Sequence, residues 1–518
     1  MVLIHPPVAK PGEPPAGLAK IAGALRAHKI PVTLLDASLE GLLHLCHGTY
    51  PPKDTFSKRA LAHAKANEKK MRTWTTYGNI DKYKTTVNEL NKILSLAGAP
   101  KGVRVTFSDY HDPDLSPVRQ EDLVRAAASP ETNVFFSYFS RRLPQILNQA
   151  GDGIVGFSLN YLSQALTTFA MIGFVKQICP KAMIVVGGGL ATSWASKPGF
   201  VNPFGGLVDH WVQGPGESYL LAMHGRGPDH DMVCPDFNGL HENRYLSPGF
   251  VLPYGASTGC FWGKCSFCPE TAENNVYRPI PPTVVLGETH RLIEKTSPIL
   301  VHFLDNALSP ALINALVRRP LGVPWYGFAR VSHQLTDLDF CRNLSRSGCV
   351  MLKLGLESGD QDVLDSLNKG IDVHMAEKVL HTLKQAGIAT YVYLLFGTPS
   401  ETLSQARRTL AFTVKNCEAI DFLNLAVFNL PVLSKECDTL DTTLFYDGDL
   451  SLYTDFKHPA GWHRSMVRLF LDKEFTRHKA VAPILRRDPP CFTSNHAPLF
   501  RMSPKSAQKN SREYIAIK

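Results

Sequence analysis

Residues 259–268 read Gly259-Cys260-Phe261-Trp262-Gly263-Lys264-Cys265-Ser266-Phe267-Cys268, and they follow closely on the apolar run 251–257. An apolar run that ends at a glycine reads as a strand stopping at a loop. Three thiols on one short loop can each bind one iron of a cubane cluster, which leaves the fourth iron without a protein ligand. Two other readings stand beside this one. Cys265 and Cys268 have the spacing of half a zinc site, but zinc needs a second pair of ligands and none lies nearby. They also have the spacing of a dithiol redox pair, which would leave Cys260 idle.

Downstream of this loop, apolar runs recur at 300–304, 324–330, 350–356, 389–396 and 419–428, separated by helical stretches such as 283–295 and 376–386. Six strand–helix units over 251–430 predict a partial (β/α)6 barrel with its chemistry at the carboxyl ends of the strands. Upstream, strands at 2–4, 32–35, 154–158, 183–186 and 207–212 alternate with helical stretches, so 1–250 is expected to be a doubly wound, Rossmann-like parallel sheet. A polar insertion at 45–150, with helices near 57–72 and 83–97, interrupts it. The first of these helices carries Lys58, Arg59, Lys65, Lys69, Lys70 and Arg72. It reads as a solvated face or as a dock for an anionic ligand. Residues 431–518 form a small mixed carboxyl-terminal region with no clear periodicity. The fold class is therefore α/β.

The 518 residues leave room for roughly three domains at about 150 residues each. A net charge of +9 without dense basic runs interleaved with aromatics argues against a nucleic-acid partner. No apolar run reaches the roughly 18 residues of a membrane span. Eleven cysteines in a large chain without an export signal predict reduced thiols and a cytoplasmic address.

The cysteine loop resembles that of the radical S-adenosylmethionine (SAM) superfamily, whose usual spacing is Cys-x3-Cys-x2-Cys. Here the first interval is one residue longer, as in relatives that carry a cobalamin domain. The resemblance implies a four-iron–four-sulfur cluster on Cys260, Cys265 and Cys268, with SAM chelated by the open iron and cleaved to a 5′-deoxyadenosyl radical. It extends to Phe267, which matches the aromatic beside the adenine. Asp305 and Asn306 match the segment at the methionine amino group. Glu357 and Ser358 match the ribose segment, and Gly397 and Glu401 match the Gly-x-Pro-x-Glu turn. Arg330, at the end of the third barrel strand, has two readings: a partner of the SAM carboxylate, or a member of a rim ion pair.

The amino-terminal half is similar to cobalamin-binding domains. Asp36, Ser38 and Gly41 stand where those domains carry Asp-x-His-x-x-Gly, with Ser38 in place of the cobalt-binding histidine. Ser158 and Asn160 occupy the Ser-x-Leu position, and Gly187 and Gly188 follow at the family's spacing. These resemblances imply a cobalamin-dependent radical SAM enzyme that transfers a methyl group to an unactivated carbon of a small-molecule or peptide substrate. A flavodoxin or ferredoxin would be its reductant. A non-methylating ring-forming or rearrangement reaction, and a non-catalytic iron–sulfur protein, are the alternatives.

Overall fold

The computed structural model describes residues 1–148, 153–227, 233–240, 245–444 and 448–502. It divides into two compact units. The first spans Met1–Phe250 and takes in two short carboxyl-terminal pieces, one of them Pro490–Phe492. The second begins at Val251 and includes Tyr453–Pro489.

The first unit is built on a five-stranded parallel sheet. Its strands are β1 (Val2–His5), β2 (Thr33–Asp36), β3 (Ile154–Ser158), β4 (Met183–Gly187) and β5 (His210–Trp211), in the spatial order β2-β1-β3-β4-β5. Val2 pairs in register with Thr33 on one side and Val155 on the other. The strands are short apolar runs with helices between them, as a sheet covered on both faces requires. The expected strand over 207–212 is only two residues long. It sits at the sheet edge, where one partner suffices. Because β1 lies between β2 and β3, the winding reverses at the β1/β3 boundary. In such sheets ligands bind outside the carboxyl ends of the strands at this switch point.

Helices α1 (Thr55–Met71) and α2 (Ile80–Gly98) of the insertion pack as a pair around a buried carboxylate. Glu89 on α2 accepts from Asn67 Nδ2 (2.6 Å) and Arg59 Nε (2.7 Å) and contacts His63 Nδ1 at 3.3 Å. Arg72 pairs with Glu68. Two cations of the basic helix are thus engaged within the insertion.

The second unit holds a six-stranded parallel sheet. Its strands are β6 (Val251–Tyr254), β7 (Leu300–Phe303), β8 (Trp325–Ala329), β9 (Cys349–Glu357), β10 (Ala389–Phe396) and β11 (Phe422–Val427). They neighbour one another strictly in sequence order. Right-handed crossovers between sequential parallel strands put every connecting helix on the same face. The sheet then curls, with helices outside and a lumen inside. Tyr254 marks the outer face, because its hydroxyl donates to Glu288 on the helix Pro282–Thr296 (2.6 Å). The carboxyl-terminal region adds a three-stranded antiparallel sheet of two- to four-residue strands and the helix Arg464–Phe470. Among the described residues no helix is long and apolar enough to cross a membrane.

Candidate functional site

The cysteine loop rises from the carboxyl end of β6. Its stem is a short antiparallel pairing, Thr258 with Arg278 and Ser257 with Pro279. Gly259 turns the chain at φ +70°, and a Cβ there would lie 2.7 Å from the Val276 carbonyl oxygen, so no other residue fits without a shift. Asp305, just past β7, braces the stem. It accepts from the Ala256 amide (3.0 Å) and the Ser257 hydroxyl (2.5 Å). Asn306 donates to the Gly259 carbonyl (3.1 Å). The two residues that the resemblance puts at the methionine end of SAM thus also hold the loop on which the thiols stand.

Cys265 is buried, whereas Cys260 and Cys268 are half-buried. Burial pushes the Cys268 thiol up to about 11. Burial also raises Cys265, with the Lys369 and Arg330 cations pulling the other way. Among the described residues no three His, Cys, Asp or Glu side chains converge tightly enough for a single metal ion. A cubane does not ask for that, because each thiolate takes a different iron. Three thiols on one braced loop, with two cations beside the buried one, fit a negatively charged thiolate cluster.

The extra residue in the first cysteine interval has a structural use. Trp262 lies across the turn Asn368-Lys369-Gly370, and its indole Nε1 donates to the Asn368 carbonyl (3.0 Å). The Arg330 guanidinium stacks on the indole, 4.1 Å from the ring centroid, and donates to the Lys369 carbonyl. Gly370 sits at φ +64°, where a Cβ would come within 2.3 Å of the indole. Arg330 is therefore held by an aromatic face and a backbone carbonyl beside Cys265, and the described contacts show no rim ion pair for it. Lys369 reaches back to Glu357, Nζ to Oε1 2.7 Å, and its ammonium lies 5.4 Å from the Phe267 ring centroid. Glu357 ends β9 at φ +70°, at a register shift against β10. A non-glycine residue in the left-handed region at a strand end is strain of the kind that collects at functional sites. Trp262, Lys369 and Gly370 were not picked out from the sequence. The signals were a tryptophan in the lengthened interval and a Lys-Gly pair just after a helix.

Ser358 faces away from this group. It is buried, its hydroxyl lies 2.9 Å from Thr409 Oγ1, and it accepts from the Asp360 amide. The turn after β10 is tied down from inside. Gly397, at φ +80°, donates its amide to Glu401 Oε2 (2.5 Å), and Trp462 Nε1 donates to the same oxygen (3.0 Å). His458 joins the clamp. Its Nε2 lies 2.9 Å from the Thr398 carbonyl, and its Nδ1 accepts from the Ala460 and Trp462 amides (3.1 and 3.2 Å). These bonds fix a neutral tautomer with the proton on Nε2. Glu401 is fully buried, which pushes its carboxyl up to about 7.

In the first unit the residues of the cobalamin-like pattern fall into two groups. Asp36 caps the helix Ala37–Cys46 by accepting from the Leu39 amide (2.9 Å), and it accepts from the Tyr245 hydroxyl (2.9 Å). Burial raises its pKa. Ser38 is buried against the Ala9 backbone, accepting from its amide (2.8 Å) and donating to its carbonyl (3.1 Å). A Cβ on Gly41 would touch Phe135 and Tyr138 at 3.1 and 3.3 Å. These three are engaged by neighbours within the first unit. The second group, Ser158, Asn160, Gly187 and Gly188, is half-exposed at the carboxyl ends of β3 and β4. Asn160 donates to the Ser158 hydroxyl (3.0 Å) and accepts from the Gly189 amide (3.0 Å). Gly188, at φ +110°, could not carry a Cβ, which would fall 2.5 Å from the Leu159 carbonyl. Gly187 could, since the nearest atom would be Val212 Cβ at 3.5 Å.

Residues 256–413 match the family described as the Radical SAM superfamily. Over 198 residues the chain is 30% identical to bacteriochlorophyllide d C-12(1)-methyltransferase of Chlorobaculum tepidum, covering 36% of this chain and 42% of that protein. Over 193 residues it is 26% identical to the anaerobic magnesium-protoporphyrin IX monomethyl ester cyclase of Rubrivivax gelatinosus, covering 35% of this chain and 34% of the cyclase. The chain thus spans less than half the length of these relatives. Its fold is shared with the cobalamin-dependent SAM radical enzyme OxsB solved with aqua-cobalamin bound, at a TM-score of 0.57 and 12% identity, over 92% of this chain and 67% of that one. Residues 256–413, with the cysteine loop placed at the carboxyl end of the first barrel strand, are thus similar to the radical SAM superfamily over the barrel-bearing part of the chain.

Proposed function

We propose that the protein is a cobalamin-dependent radical SAM enzyme that methylates an unactivated carbon. The observation that carries this reading is the cluster loop, braced by Asp305 and Asn306, over a lumen rimmed by Arg330, Glu357, Lys369 and Phe267. The groups it would hold supply one-electron cleavage of SAM and carriage of a methyl group. Cys260, Cys265 and Cys268 are the iron ligands. Arg330 and Lys369 offset the negative charge at the buried thiolate. Glu357, with two acceptor oxygens, can receive the ribose hydroxyls, and Lys369 holds it in place. The Glu401 clamp fixes the turn after β10, which would help to hold SAM.

Cobalamin is assigned to the β3–β4 edge, with Ser158, Asn160, Gly187 and Gly188 along its nucleotide tail. Ser38 is engaged by the Ala9 backbone, so its hydroxyl would not be available as a cobalt ligand. A ring-closing reaction is the second reading, favoured by the similarity to the cyclase. The substrate is a small molecule or peptide, the reductant a flavodoxin or ferredoxin, and the address cytoplasmic. The test is anaerobic reconstitution with hydroxocobalamin. Wild type should retain corrinoid. Gly187→Leu should lose it and keep its iron, because the chain itself leaves room at that Cβ. Corrinoid absent from wild type, or retained by Gly187→Leu, would contradict the assignment.

A further inference from the structure

The turn that follows the helix Gln361–Ser366 receives three hydrogen bonds on three successive carbonyls. Leu367 accepts from the Ser266 amide (3.1 Å), Asn368 from Trp262 Nε1 (3.0 Å), and Lys369 from Arg330 Nη2. Asn368 at φ +50° and Gly370 at φ +64° give the turn its shape. Ser266 and Trp262 stand on either side of Cys265 in the sequence, so one turn fixes the loop both before and after its buried thiol. Arg330, just past the end of β8, is drawn to the same place. Its guanidinium stacks on the Trp262 ring at 4.1 Å from the centroid, and it lies within hydrogen-bonding reach of the Cys265 sulfur.

The two cations beside Cys265 differ in how their charge is met. Lys369 is neutralised by Glu357 at 2.7 Å. Arg330 is half-buried and, among the described residues, makes no ion pair with a carboxylate. A guanidinium stays ionised at any working pH. Its counter-charge within the loop is therefore the Cys265 thiolate. We propose that Arg330 is a hydrogen-bonded cation on the Cys265 sulfur that raises the reduction potential of the cluster, and that Trp262 is the residue that positions it there. This rests on the radical SAM reading of the loop. One-electron reduction adds a negative charge to the cluster. A cation and hydrogen-bond donor held at one of its sulfurs favours that added charge. The indole face and the Lys369 carbonyl keep the planar guanidinium in place and shield it from water.

The test is a redox titration of the reconstituted full chain with dithionite, without SAM, read by spin resonance of the reduced cluster. A residue that only held the SAM carboxylate would leave this reading unmoved. Arg330→Gln should shift the reduction equilibrium about tenfold or more toward the oxidised cluster, which is about 59 mV lower for one electron. Trp262→Leu should shift it in the same direction, because the guanidinium loses its platform. Trp262→Phe keeps a ring face and should recover most of the wild-type potential. If Arg330→Gln fails to hold iron, Arg330→Lys replaces it; it keeps the charge, loses the planar fork and should still fall below wild type. An unshifted potential in Arg330→Gln or its replacement, or a shift in Trp262→Phe as large as in Trp262→Leu, overturns the proposal. A wild type that assembles no cluster would contradict the radical SAM reading and this inference with it. A wild type that assembles the cluster and binds SAM, with variants that keep its potential, would overturn this inference alone.

Discussion

Replacing Glu401 with glutamine should make stability less dependent on pH. The Glu401 carboxyl is fully buried, and burial raises its pKa from 4.5 to about 7, while the Gly397 amide and the Trp462 indole partly offset the rise. A raised carboxyl pKa means that the fold favours the neutral form. The contribution is therefore fully present below pH 4.5 and is lost as pH rises toward 7, after which it is flat. At about 1.4 kcal/mol per pH unit, that interval is worth roughly 3 kcal/mol. In Glu401→Gln the amide oxygen can still accept from Gly397 and Trp462, and nothing is left to ionise. Wild type and variant should match near pH 4, and the variant should be the more stable at pH 8 by up to about 3 kcal/mol. Hydrogen exchange of the turn after β10, compared at the same pH, reads this local free energy without assuming that the whole chain unfolds as one. A difference independent of pH, or a less protected variant at pH 8, would refute the burial argument.

Cys260→Ala and Cys268→Ala should each lose most of the iron bound on reconstitution, measured by metal analysis, since a cubane on three thiolates has no spare ligand. Gly370→Ala puts a Cβ 2.3 Å from the Trp262 indole at φ +64°. The backbone strain alone costs about 1–2 kcal/mol, so the cluster should be lost faster to a chelator than in wild type. Gly188→Ala should destabilise the first unit by a few kcal/mol, because its φ of +110° and the Leu159 carbonyl at 2.5 Å both oppose a side chain. Gly187→Ala should be near neutral in the same denaturation experiment.

Much of the architecture was legible because parallel strands buried on both faces read as short apolar runs with helices between them. The helices expected at 57–72 and 83–97 are Thr55–Met71 and Ile80–Gly98, since their apolar faces repeat at helical spacing. The carboxyl-terminal region was not legible. Strands of two to four residues carry no period, and its Trp462 and His458 find their partners more than fifty residues away. The cysteine triad announced itself by spacing on one loop. The clamp around it did not, because Trp262 meets its hydrogen-bond partner Asn368 across 106 positions. Side-chain direction was the other blind spot. Ser358 lies next to Glu357 in sequence, yet it points to the helix Leu403–Lys415, whereas Glu357 turns to Lys369. Likewise the Ala9 backbone that engages Ser38 is twenty-nine residues away in sequence.

The central claim is that the loop at 260–268 carries a cluster that cleaves SAM. The most direct measurement is anaerobic reconstitution with iron and sulfide, followed by reduction in the presence of SAM and quantification of 5′-deoxyadenosine. Wild type should form it in step with bound iron, and Cys265→Ala should form none. Formation of 5′-deoxyadenosine by Cys265→Ala at the wild-type rate, or none by wild type with its iron in place, would contradict the account.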